Sequence, residues 1–108
     1  MHEQRRLLCA PLNEQGIVDL DNDTPSENVL YISFPKNEYE YMMNQTNLFD
    51  EINIKCNLLI DDYEEDTIQT EHISIVEEII KSHQSRIPTF IKVLKIAKEC
   101  ETYLEVVL

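Results

Sequence analysis

Two stretches of the chain show the composition of β-strands. Residues 29–34 (VLYISF) are rich in β-branched and aromatic side chains, and Pro35 closes them. They are apolar on both faces, as the residues of a central strand are. Residues 102–108 (TYLEVVL) end the chain in a second stretch of this kind. We predict that these two strands pair in a small sheet.

Two further stretches show helical periodicity. After Thr70, which we predict as the N-cap, apolar residues recur at helical spacing to about His83. Pro88 suits the first turn of another helix, which ends near Cys100. On that helix, we expect Phe90, Leu94 and Ala97 to face the core of the protein.

Two regions fit more than one pattern. Residues 52–57 alternate as a strand does, but a helical stripe also runs through Tyr41, Leu48, Phe49, Ile52, Cys56 and Leu59. We predict a helix over about 38–56, with Asn57 as the left-handed residue that ends it. Residues 7–9 and 17–20 fit two short strands joined by a turn that contains Gly16.

Together these elements predict an α/β (α+β) protein. Its small sheet includes strands near 29–34 and 102–108, and about three helices pack against it. The 108 residues fit a single domain, 1–108, and we see no internal repeat or linker that would divide it.

Charge adds a partner class to this picture. The chain holds 21 Asp and Glu against 9 Lys and Arg, a formal net charge of −12. Residues 1–66 carry 15 acids and 4 bases, whereas residues 67–108 carry 6 acids and 5 bases. This excess disfavours nucleic acid and anionic membranes as partners, and it favours a basic protein.

Motifs for catalysis or metal binding do not fit the sequence. The acids at Asp19, Asp21 and Asp23 begin like a calcium loop, but Thr24 stands where the loop needs glycine, and Leu30 where it needs glutamate. The three histidines lack metal-ligand spacing, and a Cys100–His pair is a weak candidate for nucleophilic catalysis. We therefore predict no enzymatic activity, metal or cofactor. Three cysteines without a C-x-x-C, and no apolar membrane span, favour a cytoplasmic protein.

Two acidic stretches that contain tyrosine are the candidate binding residues. The first is Asp61, Asp62, Tyr63, Glu64, Glu65 and Asp66; the second is Glu38, Tyr39 and Glu40. Carboxylates pair with Arg and Lys, and tyrosine is enriched at binding hot spots. Tyr63 is the first candidate anchor, although a solvated face or core packing of Tyr39 would also explain these patterns.

Small size, acidity and the stretches 48–53 (LFDEIN), 59–66 (LIDDYEED) and 102–108 resemble the small immunity proteins of bacterial toxin systems, such as contact-dependent growth inhibition. The resemblance implies that the protein binds and neutralises a toxin domain, in many cases a nuclease with a basic cleft. It implies no oligomeric state. The alternatives are another acidic inhibitor, such as a phage-encoded DNA mimic, or, less favoured, a small metal-dependent enzyme.

Overall fold

A four-stranded antiparallel sheet is the centre of the computed structural model, which describes residues 6–60 and 65–108. The strands are β1 Leu7–Pro11, β2 Val29–Ser33, β3 Glu65–Ile68 and β4 Leu104–Val107. Their order across the sheet is β2-β1-β4-β3, so β1 and β4 are central and β2 and β3 are the edges.

Five α-helices accompany this sheet in the described part of the chain. They are α1 Glu14–Asp21, α2 Lys36–Glu40, α3 Leu48–Cys56, α4 Ile73–Ile80 and α5 Pro88–Glu99. A π-helical turn at Tyr41–Gln45 and 3-10 turns at Thr70–His72 and Lys81–Arg86 lie between them. The prediction of an α+β fold is confirmed, although the helices number five rather than about three.

The main core lies between one face of the sheet and helices α2 to α5. Because side chains alternate along a strand, Leu8 and Ala10 of β1 and Leu104 and Val106 of β4 point to this inner face, where all four are buried. Phe90 of α5 stacks on Phe34, with ring centroids 5.9 Å apart. On the opposite, outer face of the sheet, described residues form a smaller apolar cluster, in which Cys9 and Val29 meet Leu20 of α1.

The predicted strands exist, but they do not pair as predicted. β4 pairs with β1 and β3, and β2 pairs only with β1 in the described chain, so the strands at 29–34 and 102–108 are not neighbours. The first strand at residues 7–9 is confirmed as part of β1. The second, at 17–20, is wrong, because this segment belongs to α1. The Asn13 side chain caps that helix by accepting a bond from the Gly16 N–H at 2.9 Å.

The helical interpretation of residues 38–56 is confirmed, with an interruption at Thr46 and Asn47. Asn57 ends α3 at φ 56°, in the left-handed conformation. Pro88 occupies the first turn of α5, as predicted. Thr70 does not cap α4, which begins at Ile73; its hydroxyl instead donates to the carbonyl of Thr102 at 2.8 Å. Among the helices of residues 6–60 and 65–108, none has the length and apolar character needed to cross a bilayer.

Candidate partner-binding site

In the described part of the chain, a helix covers only part of the outer face of the sheet. Helix α1 packs on β1 and β2, where Leu20 meets the small cluster of Cys9 and Val29. The close approach of α1 depends on Gly16, because a Cβ at this position would overlap the backbone carbonyl oxygen of Asn28. A groove therefore runs between the end of α1 and the outer face of β4 and β3.

This groove, the acidic cleft, has a volume of about 530 Å³. Four carboxylates line it: Asp21, Asp23, Glu65 and Glu105. The other lining residues are Ile17, Leu20, Thr67, Gln69 and Tyr103, so no lysine, arginine or histidine is among the described residues of its wall. Four acids from α1, the loop after it, β3 and β4 thus converge without a cationic residue in that wall.

Strand register explains why Glu105 and Glu65 lie together. On the outer face, Cys9 of β1 is paired with Tyr31 of β2 and with Glu105 of β4, and Glu105 is paired with Thr67 of β3. Glu65 precedes Thr67 by two residues and so projects from the same face as the diagonal neighbour of Glu105. Two like charges on neighbouring strands repel each other, and this repulsion opposes folding unless a cation joins them.

The electrostatic effect of the cleft is visible in the groups around it. Burial raises the pKa of Glu105, and the charges of Glu65 and Asp23 raise it further. Burial and the Glu105 charge also raise the pKa of Tyr103. Burial, Glu105 and Glu65 raise the pKa of the Cys9 thiol to about 12. Burial is the largest cause of each shift, and the neighbouring carboxylates add a negative potential that favours a bound cation. The Cys9 thiol stays protonated at neutral pH and is a poor nucleophile.

Replacing Glu105 by glutamine is expected to stabilise the free protein at neutral pH by a few tenths of a kcal/mol, up to ~1 kcal/mol. The folded state holds the Glu105 proton more tightly than the unfolded chain does, so ionising Glu105 costs folding free energy above its ordinary pKa of 4.5. The gain of Glu105→Gln should therefore vanish below that pH. Urea unfolding of both proteins between pH 4 and pH 8 measures it, with Glu78→Gln, at an exposed position on α4, as the matched control.

Of Glu65 and Asp66, the two described residues of the first predicted stretch, only Glu65 lines the cleft. Asp66 has a structural role, because its carboxylate accepts bonds from the backbone N–H groups of Leu59 and Thr67, both at 2.8 Å. Asp61, Asp62, Tyr63 and Glu64 lie outside the described residues, so their part in binding stays a prediction. Asp66 and Glu65 nevertheless fix where this stretch meets the sheet, which is at the edge of the acidic cleft.

The second predicted stretch is corrected by the structure. Glu38 and Tyr39 are each only 4% exposed, because the helical turn of α2 directs both into the main core rather than alternating them on a surface. The Tyr39 and Phe34 rings pack edge to face, with their centroids 6.1 Å apart, and the guanidinium of Arg6 lies 3.9 Å from the Tyr39 ring centroid. Glu40 is exposed, but it belongs to the helical side of the sheet, away from the cleft.

Glu38 instead caps another helix. The first turn of α5 has no capping side chain of its own, and the Glu38 carboxylate accepts bonds from the N–H groups of Thr89 at 3.1 and 3.2 Å and of Phe90 at 3.3 Å. A negative charge at this position also complements the helix dipole.

Removing this cap with Glu38→Ala is expected to cost about 1–2 kcal/mol of unfolding free energy, because the first-turn N–H groups lose their partner. Urea unfolding measures the loss. Glu40→Ala is the control: Glu40 only forms an i,i+4 ion pair with Lys36 at 3.8 Å, which contributes about 0.5 kcal/mol or less. Equal losses in the two variants would contradict the capping role.

Sequence reasoning missed three of the four cleft acids. From the sequence, Asp21 and Asp23 belong to an incomplete calcium loop, and Glu105 is one residue of a predicted strand. A signal was present in β4 and the residue before it, where Tyr103, Glu105 and Val107 alternate with buried residues and so place an acid on a central strand. The position of α1 on the sheet, which creates the groove, could not be predicted from the sequence.

Other chemistry finds little support in the described ranges. Within them, no three His, Cys, Asp or Glu side chains come together as metal ligands would. The Asp19 carboxylate is engaged with Ser26 and Gln15, which lower its pKa and fix the loop after α1. Comparison with protein-family models, with curated proteins and with solved structures gives no match.

Proposed function

We propose that this protein is an immunity protein, which binds a basic toxin domain and neutralises it, and that the acidic cleft is the centre of its binding surface. One observation supports this proposal above all. Asp21, Asp23, Glu65 and Glu105 line the same groove, and none of the described residues that line it is basic. Repulsion among these carboxylates opposes folding of the free protein. A partner that places cationic side chains in the cleft removes this repulsion.

The binding mechanism follows from the charges. The long-range field of a chain with net charge −12 accelerates encounter with a basic surface, and salt screens this effect. At contact, lysine or arginine side chains of the partner form charge-assisted bonds with Glu65 and Glu105. The ring of Tyr103, at the same wall, provides rigid contact area beside them.

A toxin is favoured over other basic partners by the resemblance to immunity proteins. A nuclease toxin must hold its phosphate substrate in a basic cleft, so an acidic protein can cover that cleft and exclude the substrate. Inhibition then requires no enzymatic activity, metal or cofactor in the inhibitor. The proposal extends to the acids at 61–64, which adjoin Glu65 in the chain.

Co-expression tests the proposal. The toxin domain to use is the C-terminal domain of the protein encoded directly upstream of this chain, produced in a bacterial host under an inducible promoter. We expect that this domain arrests growth, that co-expression of the chain restores it, and that the two purified proteins form a stable complex. An upstream product that is harmless, or that still kills when the chain is present, would contradict the proposal.

A further inference from the structure

A second, apolar pocket adjoins the acidic cleft on the outer face. It is lined by Leu7, Leu20, Asp23, Pro25 and Tyr31 and has a volume of about 390 Å³. Leu20 and Asp23 line both the acidic cleft and the apolar pocket, so the cleft and the pocket open onto one continuous surface. Tyr31 is 42% exposed, although it stands on a strand in the same row as the buried Cys9.

We infer that this apolar pocket receives one apolar side chain of the basic partner, next in its sequence to a lysine or arginine that enters the acidic cleft. The inference rests on the proposed function, since it specifies the partner of the same surface. Charge complementarity selects the occupant: any residue seated in the pocket brings its chain neighbours over Asp23 and towards Glu65 and Glu105, where cations are favoured and anions are repelled.

The acidic cleft and the apolar pocket would contribute to binding in different ways. Carboxylates mainly set the association rate and the specificity, whereas the slow dissociation of a tight complex needs an anchor that is removed from water. The Tyr31 ring and Pro25 form a rigid wall for such an anchor, because neither loses much side-chain freedom when it is covered. The pocket thus provides the apolar component that the acidic cleft lacks.

Short capped peptides test this inference without the toxin. The probes are acetyl-Arg-Leu-Arg-amide, acetyl-Arg-Ser-Arg-amide and acetyl-Gln-Leu-Gln-amide, titrated into the isotope-labelled full chain and followed by amide chemical shifts. We expect saturable shifts at Leu7 and Tyr31, and at Thr67 and Glu105, with the first peptide. The serine peptide should bind at least about five-fold more weakly and shift only the cleft residues, and the glutamine peptide should bind least.

Two variants assign the effect to the pocket. Tyr31→Ser should reduce the affinity for the leucine peptide to that for the serine peptide. Ile75→Ser, at an apolar residue of similar exposure (38%) on α4, should leave it unchanged. Equal affinity for the leucine and serine peptides, or shifts outside both the cleft and the pocket, would overturn the inference, and so would occupation of the pocket by residues 1–5 or by a second copy of the chain.

The peptide result and the co-expression result are independent. If the chain neutralises the toxin domain but does not distinguish leucine from serine, the inference about the pocket fails and the proposed function stands. If the chain prefers the leucine peptide but restores no growth, the pocket binds as inferred and the partner is a basic protein other than a toxin.

Discussion

Replacing Glu65 and Glu105 together by lysine is expected to weaken binding of the toxin domain by about 100- to 1000-fold, equivalent to roughly 3–4 kcal/mol. The change removes two carboxylates that accept bonds from cationic side chains of the partner. It also introduces two lysines of the same charge as those side chains, and such repulsion costs several kcal/mol of binding free energy at a close contact. Association should slow, and its dependence on salt should become shallower. Stopped-flow association and equilibrium titration at low and physiological salt measure both effects.

A charge-matched control separates the cleft from net charge. Glu78→Lys with Glu99→Lys changes the total charge by the same amount, at exposed positions on α4 and α5. This control should slow association modestly and leave dissociation unchanged. If both double variants lose affinity equally, net charge and not the acidic cleft determines binding. Circular dichroism confirms that each variant is folded before its affinity is compared.

Replacing Gly16 by alanine is expected to lower the free energy of unfolding by about 1–2 kcal/mol. Two effects oppose each other here. Alanine favours a helix over glycine by ~1 kcal/mol. Against this, its Cβ would overlap the Asn28 carbonyl oxygen, which is backbone and cannot rotate away, and overpacking of this kind costs roughly 1–3 kcal/mol or more. The overlap should win, because relieving it means lifting α1 from the sheet.

Urea unfolding measures this loss, with Val18→Ala as the control. Val18 is a half-exposed residue of the same helix, so its replacement should change stability by about 0.5 kcal/mol or less. Gly16→Ala should also alter the amide shifts of Thr67 and Glu105, which lie across the acidic cleft from α1. If the alanine variant were more stable than the parent, helix propensity would outweigh the overlap, and α1 would not be held as closely as the geometry requires.

The elements that the sequence predicts correctly are those with strong local signals. Residues 29–34 and 102–108 carry β-branched and aromatic side chains, Pro88 marks a helix start, and Asn57 marks a helix end; all four signals act within a few residues. Strand pairing is different, because β4 lies between β1 and β3, more than 30 residues away in the chain. Short apolar runs such as 17–20 also fit a strand and a helix equally, and the Asn13 cap decides between them.

An acidic surface can be predicted from the sequence, but its position only in part. Counting charges shows that residues 1–66 hold most of the acids, and three of the four cleft acids come from that range. The sequence could not show that Glu38 faces inward to cap α5, because its partners Thr89 and Phe90 lie about 50 residues further on. Nor could it show that Glu105, from the charge-balanced part of the chain, completes the cleft.

The most direct test of the account is to label carboxylates of the chain with a water-soluble carbodiimide and a small amine, alone and in complex with the toxin domain, and to read each site by mass spectrometry. We expect labelling of Asp21, Asp23, Glu65 and Glu105 to fall several-fold in the complex. Labelling of Glu78 and Glu99, on the helical side, should not change. Protection of Glu78 and Glu99 with unchanged labelling of the four cleft acids would contradict it.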